Sequence, residues 1–218
     1  MLTSPRLRRL TQRGAETASE RQERCELCGL VVPAEHRHVI NVQTRELLCA
    51  CRACSILFHR PAAGGGHFRL IPDRRLVLEQ FELSDVAWEQ LRIPVDMAYF
   101  FTSSAAQRVM AFYPSPMGAT ESRLELAAWE GMKQANPVLA SMEPDVEALL
   151  VNRARGARRH WIVPVEDCYR LVAVIRTQWR GFTGGKEVWA GIDGFFADLD
   201  GRAGRFEPPG TESLPERS

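Results

Sequence analysis

The chain has 218 residues, of which 45% are hydrophobic and 25% are charged, and its formal net charge is +1. This length suits one compact domain with a small additional module. The near-zero net charge excludes a global field that would attract nucleic acid or an acidic membrane. No run approaches the roughly eighteen apolar residues of a membrane span, and no apolar stretch follows the N-terminal arginines as in a secretory signal. We therefore expect a cytoplasmic protein.

Both ends of the chain are polar and lack a sustained apolar period. Residues 1–22 are rich in Arg, Glu, Thr and Ser, and residues 203–218 contain three prolines. We predict that both segments are disordered tails. Between them we expect a small module at residues 23–63 and a larger domain at residues 67–202, joined by a flexible run of glycines.

Five of the six cysteines lie within thirty residues near the start of the chain. Cys25 and Cys28 form one Cys-x2-Cys pair, and Cys51 and Cys54 form a second, twenty-two residues further on. Four thiolates in this pattern can form the tetrahedron of a closed structural zinc site, and a single iron ion fits the same geometry. Four thiolates leave no position for water, which argues against hydrolysis at this ion. Cys49 could pack beneath the site or replace a ligand.

The segment between the two cysteine pairs predicts a ribbon hairpin. Residues 36–43 indicate a strand, residues 44–46 a turn and residues 47–51 a returning strand, so the module resembles a zinc ribbon. Gly29 follows the first pair, where a knuckle often demands a positive φ. His36 and His38 would fit an HNH-type nuclease only with a longer following loop, so we interpret them as solvated strand residues, without excluding that either joins the site.

The larger domain combines short strands with helices, so we predict an α+β fold with a mostly antiparallel sheet. The predicted strands are short β-branched or aromatic runs at residues 67–71, 76–81, 95–101, 108–113, 148–152 and 160–163. A helix at residues 85–91 follows a Ser84 cap. A second helix is predicted at residues 121–134, because Ser122 and Glu125 have capping-box spacing.

The domain closes with the two clearest helical patterns in the chain, which predict a C-terminal helical hairpin. One face of the first helix carries Val165, Cys168, Tyr169, Val172, Ile175 and Trp179. One face of the second carries Val188, Ile192, Phe195 and Leu199. These apolar spacings match the 3.6-residue period of an amphipathic helix. Core packing explains both stripes without a ligand.

Other candidate sites are weaker. Four arginines fall on a predicted turn, where they are either solvated charges or a contact for phosphate or an acidic partner. They are Arg153, Arg155, Arg158 and Arg159. Residues 181–187 are superficially similar to a phosphate loop, but Glu187 stands where a magnesium-binding Ser or Thr is required. No nucleophile, base and orienting acid stand at a recognised spacing, which favours a protein that is not an enzyme.

Four segments of the chain resemble an uncharacterised actinobacterial protein family encoded beside the subunits of high-affinity NiFe hydrogenases. These segments are residues 111–122, 143–153, 163–172 and 179–181, and the resemblance covers about residues 23–200. It implies an accessory role in hydrogenase assembly, maturation or electron delivery, and it supplies no catalytic residues. Together with the cysteine pattern, it leads us to predict a non-enzymatic metal-binding accessory protein that docks on a NiFe hydrogenase subunit or its maturation factors. Two alternatives remain open: a rubredoxin-like iron electron carrier to a hydrogenase, and a zinc-ribbon nucleic-acid-binding protein.

Overall fold

The structure is a computed structural model that describes residues 22–60, 63–181 and 183–206. Most of the two predicted tails therefore lies outside the described residues. Ten strands occur in these ranges: β1 Arg37–Asn41, β2 Leu47–Ala50, β3 Phe68–Leu70, β4 Leu76–Val77, β5 Met97–Ser103, β6 Arg108–Ser115, β7 Gly118–Ser122, β8 Glu147–Asn152, β9 Arg159–Pro164 and β10 Gly204–Arg205. Five α-helices accompany them: α1 Arg52–Ile56, α2 Asp85–Gln90, α3 Leu126–Ala135, α4 Val165–Gln178 and α5 Gly185–Arg202.

The strands form a small sheet and a large sheet. The small sheet has the order β2-β1-β3, and the large sheet has the order β10-β4-β9-β8-β5-β6-β7. All neighbouring strands are antiparallel except β10 and β4. Each predicted strand region contains a strand, and the predicted α+β class with a mostly antiparallel sheet is confirmed.

The large sheet is covered on both faces. Because side chains alternate along a strand, Tyr99 and Phe101 of β5 face one layer while Ala98 and Phe100 face the other. The first layer consists of α4 and α5, whose predicted apolar stripes pack there and confirm the helical hairpin. The second layer includes Trp88 of α2 and Trp129 of α3. Burial of both faces explains why the central strands are apolar at almost every position.

The helix predicted at residues 121–134 begins later than expected. Ser122 is instead the last residue of β7, where its hydroxyl donates to the Arg92 carbonyl oxygen over 3.4 Å. The helix starts at Leu126, and Glu125 at its N-cap makes no side-chain capping bond. The capping-box prediction is wrong because β7 pairs with β6 through a tight turn that ends at Gly118.

Two further elements differ from the sequence prediction. The strand predicted at residues 67–71 forms β3, but it pairs with β1 in the small sheet rather than joining the large one. Within the predicted tail at residues 203–218, β10 pairs with β4. Both pairings join segments that are distant in sequence, and a local pattern carries no information about such a partner.

The small sheet packs against the start of α4. Ile40 of β1 and Ile71 form a buried cluster with Val146 and Val165. Val165 is the first residue of α4, so this contact brings the next residues of that helix close to β1 and β2. The packing thereby sets the position of the small sheet relative to the large one.

Candidate metal centre

The first cysteine pair lies on a closed backbone knuckle. The amide of Gly29 donates to the Cys25 carbonyl oxygen over 2.7 Å, and the amide of Cys25 donates to the Leu30 carbonyl oxygen over 2.7 Å. Gly29 has φ of +76°, as the sequence predicts for this position. The reversal brings the Cys25 and Cys28 side chains to the same side of the turn.

The second cysteine pair lies where β2 passes into α1. Cys51 is the N-cap residue of α1, and its sulfur accepts a hydrogen bond from the Cys54 amide over 3.4 Å. The two knuckles are tied by Glu26, whose amide donates to the Cys49 carbonyl oxygen over 2.9 Å. In return, the Cys49 amide donates to the Glu26 carboxylate over 2.7 Å. These bonds fix the distance between the two pairs.

The fold brings all four predicted ligands together. The sulfur atoms of Cys25, Cys28, Cys51 and Cys54 all lie within 4.8 Å of one another, and none of these cysteines is in a disulfide. The sulfur atoms of Cys28 and Cys51 are 3.8 Å apart. A tetrahedral ion with metal–sulfur bonds of about 2.3 Å separates its sulfur ligands by about 3.8 Å. The four cysteines could therefore hold a metal ion.

The electrostatics of the four sulfurs are those of a crowded thiol cluster. Burial alone would raise the pKa of Cys25, but backbone hydrogen bonds from Cys51, Leu27 and Cys28 lower it to about 6. Hydrogen bonds with the sulfurs of Cys28 and Cys51 raise the pKa of Cys54 to about 12. One thiolate thus suppresses the ionisation of its neighbours, and a bound cation would remove that repulsion.

Cys49 lies outside this group. Its sulfur clusters instead with His36 and His38, and one ligand atom from each of the three residues lies within 4.8 Å of the others. The side chain of His36 is only 4% exposed and His36 precedes β1, so its interpretation as a solvated strand residue is wrong; His38 does lie in β1, with its side chain 27% exposed. The signal that could have found this cluster is the pairing register, because His38 lies directly opposite Cys49 across β1 and β2.

The four turn arginines do not form an open anion-binding patch. Arg153 is buried, donates to the Leu83 carbonyl oxygen over 3.1 Å and pairs with Asp85. The other three also have carboxylate partners: Arg158 with Asp85 at 2.8 Å, Arg159 with Asp200 at 2.8 Å and Arg155 with Asp193 at 3.6 Å. These ion pairs tie the turn to α2 and α5, which accounts for the arginines structurally.

The fold and the site together define an α+β protein with a four-cysteine cluster suited to a metal ion. The chain belongs to a family of unknown function (DUF5947), whose match covers residues 24–203. Comparison with curated proteins and with solved structures gives no match. Among the described residues, no helix combines the length and apolar character needed to traverse a bilayer.

Proposed function

We propose that this protein is a non-enzymatic accessory protein that holds a structural Zn²⁺ ion through Cys25, Cys28, Cys51 and Cys54 and docks on a partner protein. The observation that carries the proposal is the convergence of four free sulfur atoms within 4.8 Å. A complete set of four thiolates is typical of structural zinc sites, whereas catalytic zinc sites keep one position open. The ion would hold the two knuckles in a fixed arrangement.

The surface around the knuckles supports docking on a protein. Large apolar side chains are exposed on both knuckles: Leu27, Leu30 and Val31 on the first, and Ile56 and Leu57 on the second. Because the four sulfurs converge, the two knuckles that carry these side chains lie side by side. Clustered exposed apolar residues mark interaction sites more often than single ones do.

The partner that we propose is a NiFe hydrogenase subunit or one of its maturation factors. The resemblance of residues 111–122, 143–153 and 163–172 to proteins encoded beside such subunits supports this choice. Nucleic acid is a less favourable partner, because the arginines between Arg153 and Arg159 are engaged by carboxylates. The proposed accessory role is therefore assembly or maturation through protein–protein contact.

The metal site is tested by Cys28→Ser. Cys28 is exposed, so the substitution removes a ligand without opening a cavity. We expect the purified chain to lose one zinc ion and the two knuckles, residues 24–31 and 51–56, to lose amide protection in hydrogen exchange, because metal binding supplies most of the folding free energy of such small sites. Strands β5 and β8 should stay protected. Cys168→Ala, which removes a buried thiol outside the cluster, is the matched control and should keep the metal.

Docking is tested by replacing an apolar residue on each knuckle, Leu30→Ser with Leu57→Ser, in a chain that keeps its metal. Co-purification with the hydrogenase subunits and maturation factors should fall sharply for this variant. Met117→Ser is the matched control, because Met117 is exposed on the turn between β6 and β7, at an edge of the large sheet and on neither knuckle. Equal recovery of partners by the knuckle variant and wild type would contradict docking at this surface.

An iron electron carrier is the second candidate, and the exposure of Cys28 favours it because electron transfer needs a redox ion near the surface. Four thiolates suit iron and zinc alike. Elemental analysis of protein purified without oxygen distinguishes the two ions. Visible absorbance that bleaches on reduction would establish iron, and a colourless protein with one zinc ion at the four cysteines would establish the structural site.

A further inference from the structure

A second group of metal-binding side chains lies on one face of the small sheet. The register of β1 and β2 places His38 opposite Cys49. His36 precedes His38 by two residues, so the period of an extended chain puts both histidines on the same side. Their ring centroids are 4.5 Å apart. One ligand atom from each of the three residues lies within 4.8 Å of the others.

His36 uses one ring nitrogen for a hydrogen bond, which leaves the other open to a metal ion. Its Nδ1 atom lies 2.9 Å from the Pro33 carbonyl oxygen and also 3.6 Å from a Glu23 carboxylate oxygen. Because a carbonyl oxygen can only accept, Nδ1 is the donor, and in the neutral imidazole Nε2 is then the nitrogen with the lone pair. His36 Nε2 is buried and has no hydrogen-bond partner among the described residues. A metal ion on Nε2 would satisfy this atom, and histidine ligands commonly donate their other N–H to a carbonyl in this way.

His38 has a carboxylate on its other side. Its Nδ1 atom lies 2.9 Å from a Glu166 carboxylate oxygen. The two atoms are not aligned as a hydrogen bond and both are buried without another partner in the described ranges. With Glu166 at Nδ1, the opposite ring nitrogen, Nε2, is the one available to an ion. A carboxylate behind a histidine ligand is a common second partner in zinc sites.

We propose that His36, His38 and Cys49 bind a divalent transition-metal ion, with Zn²⁺ as the reference ion, and that Glu166 is a positioning residue behind His38. Two imidazoles and one thiolate select zinc, nickel or copper over magnesium or calcium. Tetrahedral zinc separates two nitrogen ligands by about 3.3 Å and a nitrogen from a sulfur by about 3.6 Å, so small side-chain rotations bring the three atoms onto one ion. Three protein ligands leave a fourth position for water or a small anionic ligand. This site goes beyond the proposed function and is separate from the four-cysteine site.

The test is the number of zinc ions bound by the full-length wild-type chain, measured by native mass spectrometry during titration with Zn²⁺. We expect two ions in wild type and one ion in Cys49→Ser and in His36→Gln. His59→Gln replaces an exposed histidine outside the cluster and should keep two ions. Glu166→Gln should keep two ions but bind the second about 10- to 100-fold more weakly, as expected for the loss of a residue that orients a ligand.

The wild-type measurement decides the proposal even where a variant fails to fold. A wild-type chain that never exceeds one ion in a small excess of Zn²⁺ would overturn it, and so would two ions in folded Cys49→Ser. Cobalt gives an independent check, because Co²⁺ added to wild type that carries one equivalent of Zn²⁺ at the four cysteines should show a single thiolate charge-transfer band that Cys49→Ser lacks. Loss of the second ion alone would leave the four-cysteine proposal intact, since Cys28→Ser tests that site separately.

Discussion

Replacing Asp167 by asparagine should destabilise the fold more than any surface substitution. The Asp167 side chain is fully buried and accepts a hydrogen bond from Arg75 Nε over 2.6 Å. Arg170 and Arg202 approach the same carboxylate at 3.2 Å and 3.7 Å. The carboxylate therefore joins the segment before β4 to the two C-terminal helices. In Asp167→Asn the positive charges remain while the negative charge is lost.

The loss in the free energy of unfolding depends on which arginine is left without a close carboxylate partner. Arg170 and Arg202 are partly exposed and keep Asp198 as a partner, whereas the Arg75 side chain is only 12% exposed. Removing one member of a buried ion pair costs about 3 to 5 kcal/mol. Glu166, 3.5 Å from Arg75, offsets part of this loss. We therefore expect the free energy of unfolding to fall by about 3 kcal/mol, the lower end of that range.

Urea unfolding measures this loss. An m-value, the slope of the unfolding free energy against urea concentration, equal to that of wild type would show that the two-state transition is preserved. Glu130→Gln is the control, because Glu130 pairs with Lys133 on the surface at 3.2 Å and should cost less than about 0.5 kcal/mol. Adding Arg75→Met to Asp167→Asn should recover part of the stability, since it removes the buried positive charge that has lost its partner. A loss below 1 kcal/mol in the single variant, or no recovery in the double variant, would refute the reasoning.

Two further predictions concern a histidine and a knuckle glycine. Burial, together with Arg153, Arg158 and Arg159, lowers the pKa of His160 to about 4. As the pH falls, the His160 imidazole is therefore protonated in the unfolded chain before it is protonated in the folded one. The contribution of His160 to the free energy of unfolding should be constant above pH 6.5 and fall by up to about 3 kcal/mol as the pH drops towards 4. The pH dependence of unfolding in His160→Asn should lack this component, and an unchanged profile would contradict it. Gly29→Ala should weaken zinc binding about fivefold, because φ of +76° costs a non-glycine residue about 1 kcal/mol while the added methyl group contacts nothing. Gly194→Ala, in the middle of α5 with equal space, should instead raise the midpoint of thermal unfolding, and a zinc affinity unchanged in Gly29→Ala would show that the knuckle tolerates the strain.

The parts of the fold that the sequence predicts well are those with local signals. The Ser84 cap is confirmed, because its hydroxyl accepts the Ala87 amide hydrogen bond at the start of α2. The stripes of α4 and α5 are confirmed because each helix buries one continuous face over several turns. The positive φ of Gly29 follows from the knuckle chemistry that the cysteine spacing indicates.

The parts that the sequence does not predict depend on partners far along the chain. The spacing of Ser122 and Glu125 is a genuine helix-start signal, but strand pairing with β6 overrides it. The environment of His36 and His38 depends on the β1–β2 register and on Glu166, which lies more than a hundred residues later. The buried Asp167 likewise has an ordinary sequence context, since acidic residues are expected in the first turn of any helix.

Glu166 and Asp167 are neighbours at the start of α4, yet their carboxylates contact different partners. Asp167 faces Arg75 and the helices, so its loss should reduce stability whether or not metal is present. Glu166 faces His38, so its replacement should affect stability mainly when the second ion is bound. Arg75 contacts Asp167 at 2.6 Å and Glu166 at 3.5 Å, so it couples the two positions. Measuring the unfolding of Glu166→Gln and Asp167→Asn with and without zinc therefore separates structural charge pairing from metal binding at adjacent positions.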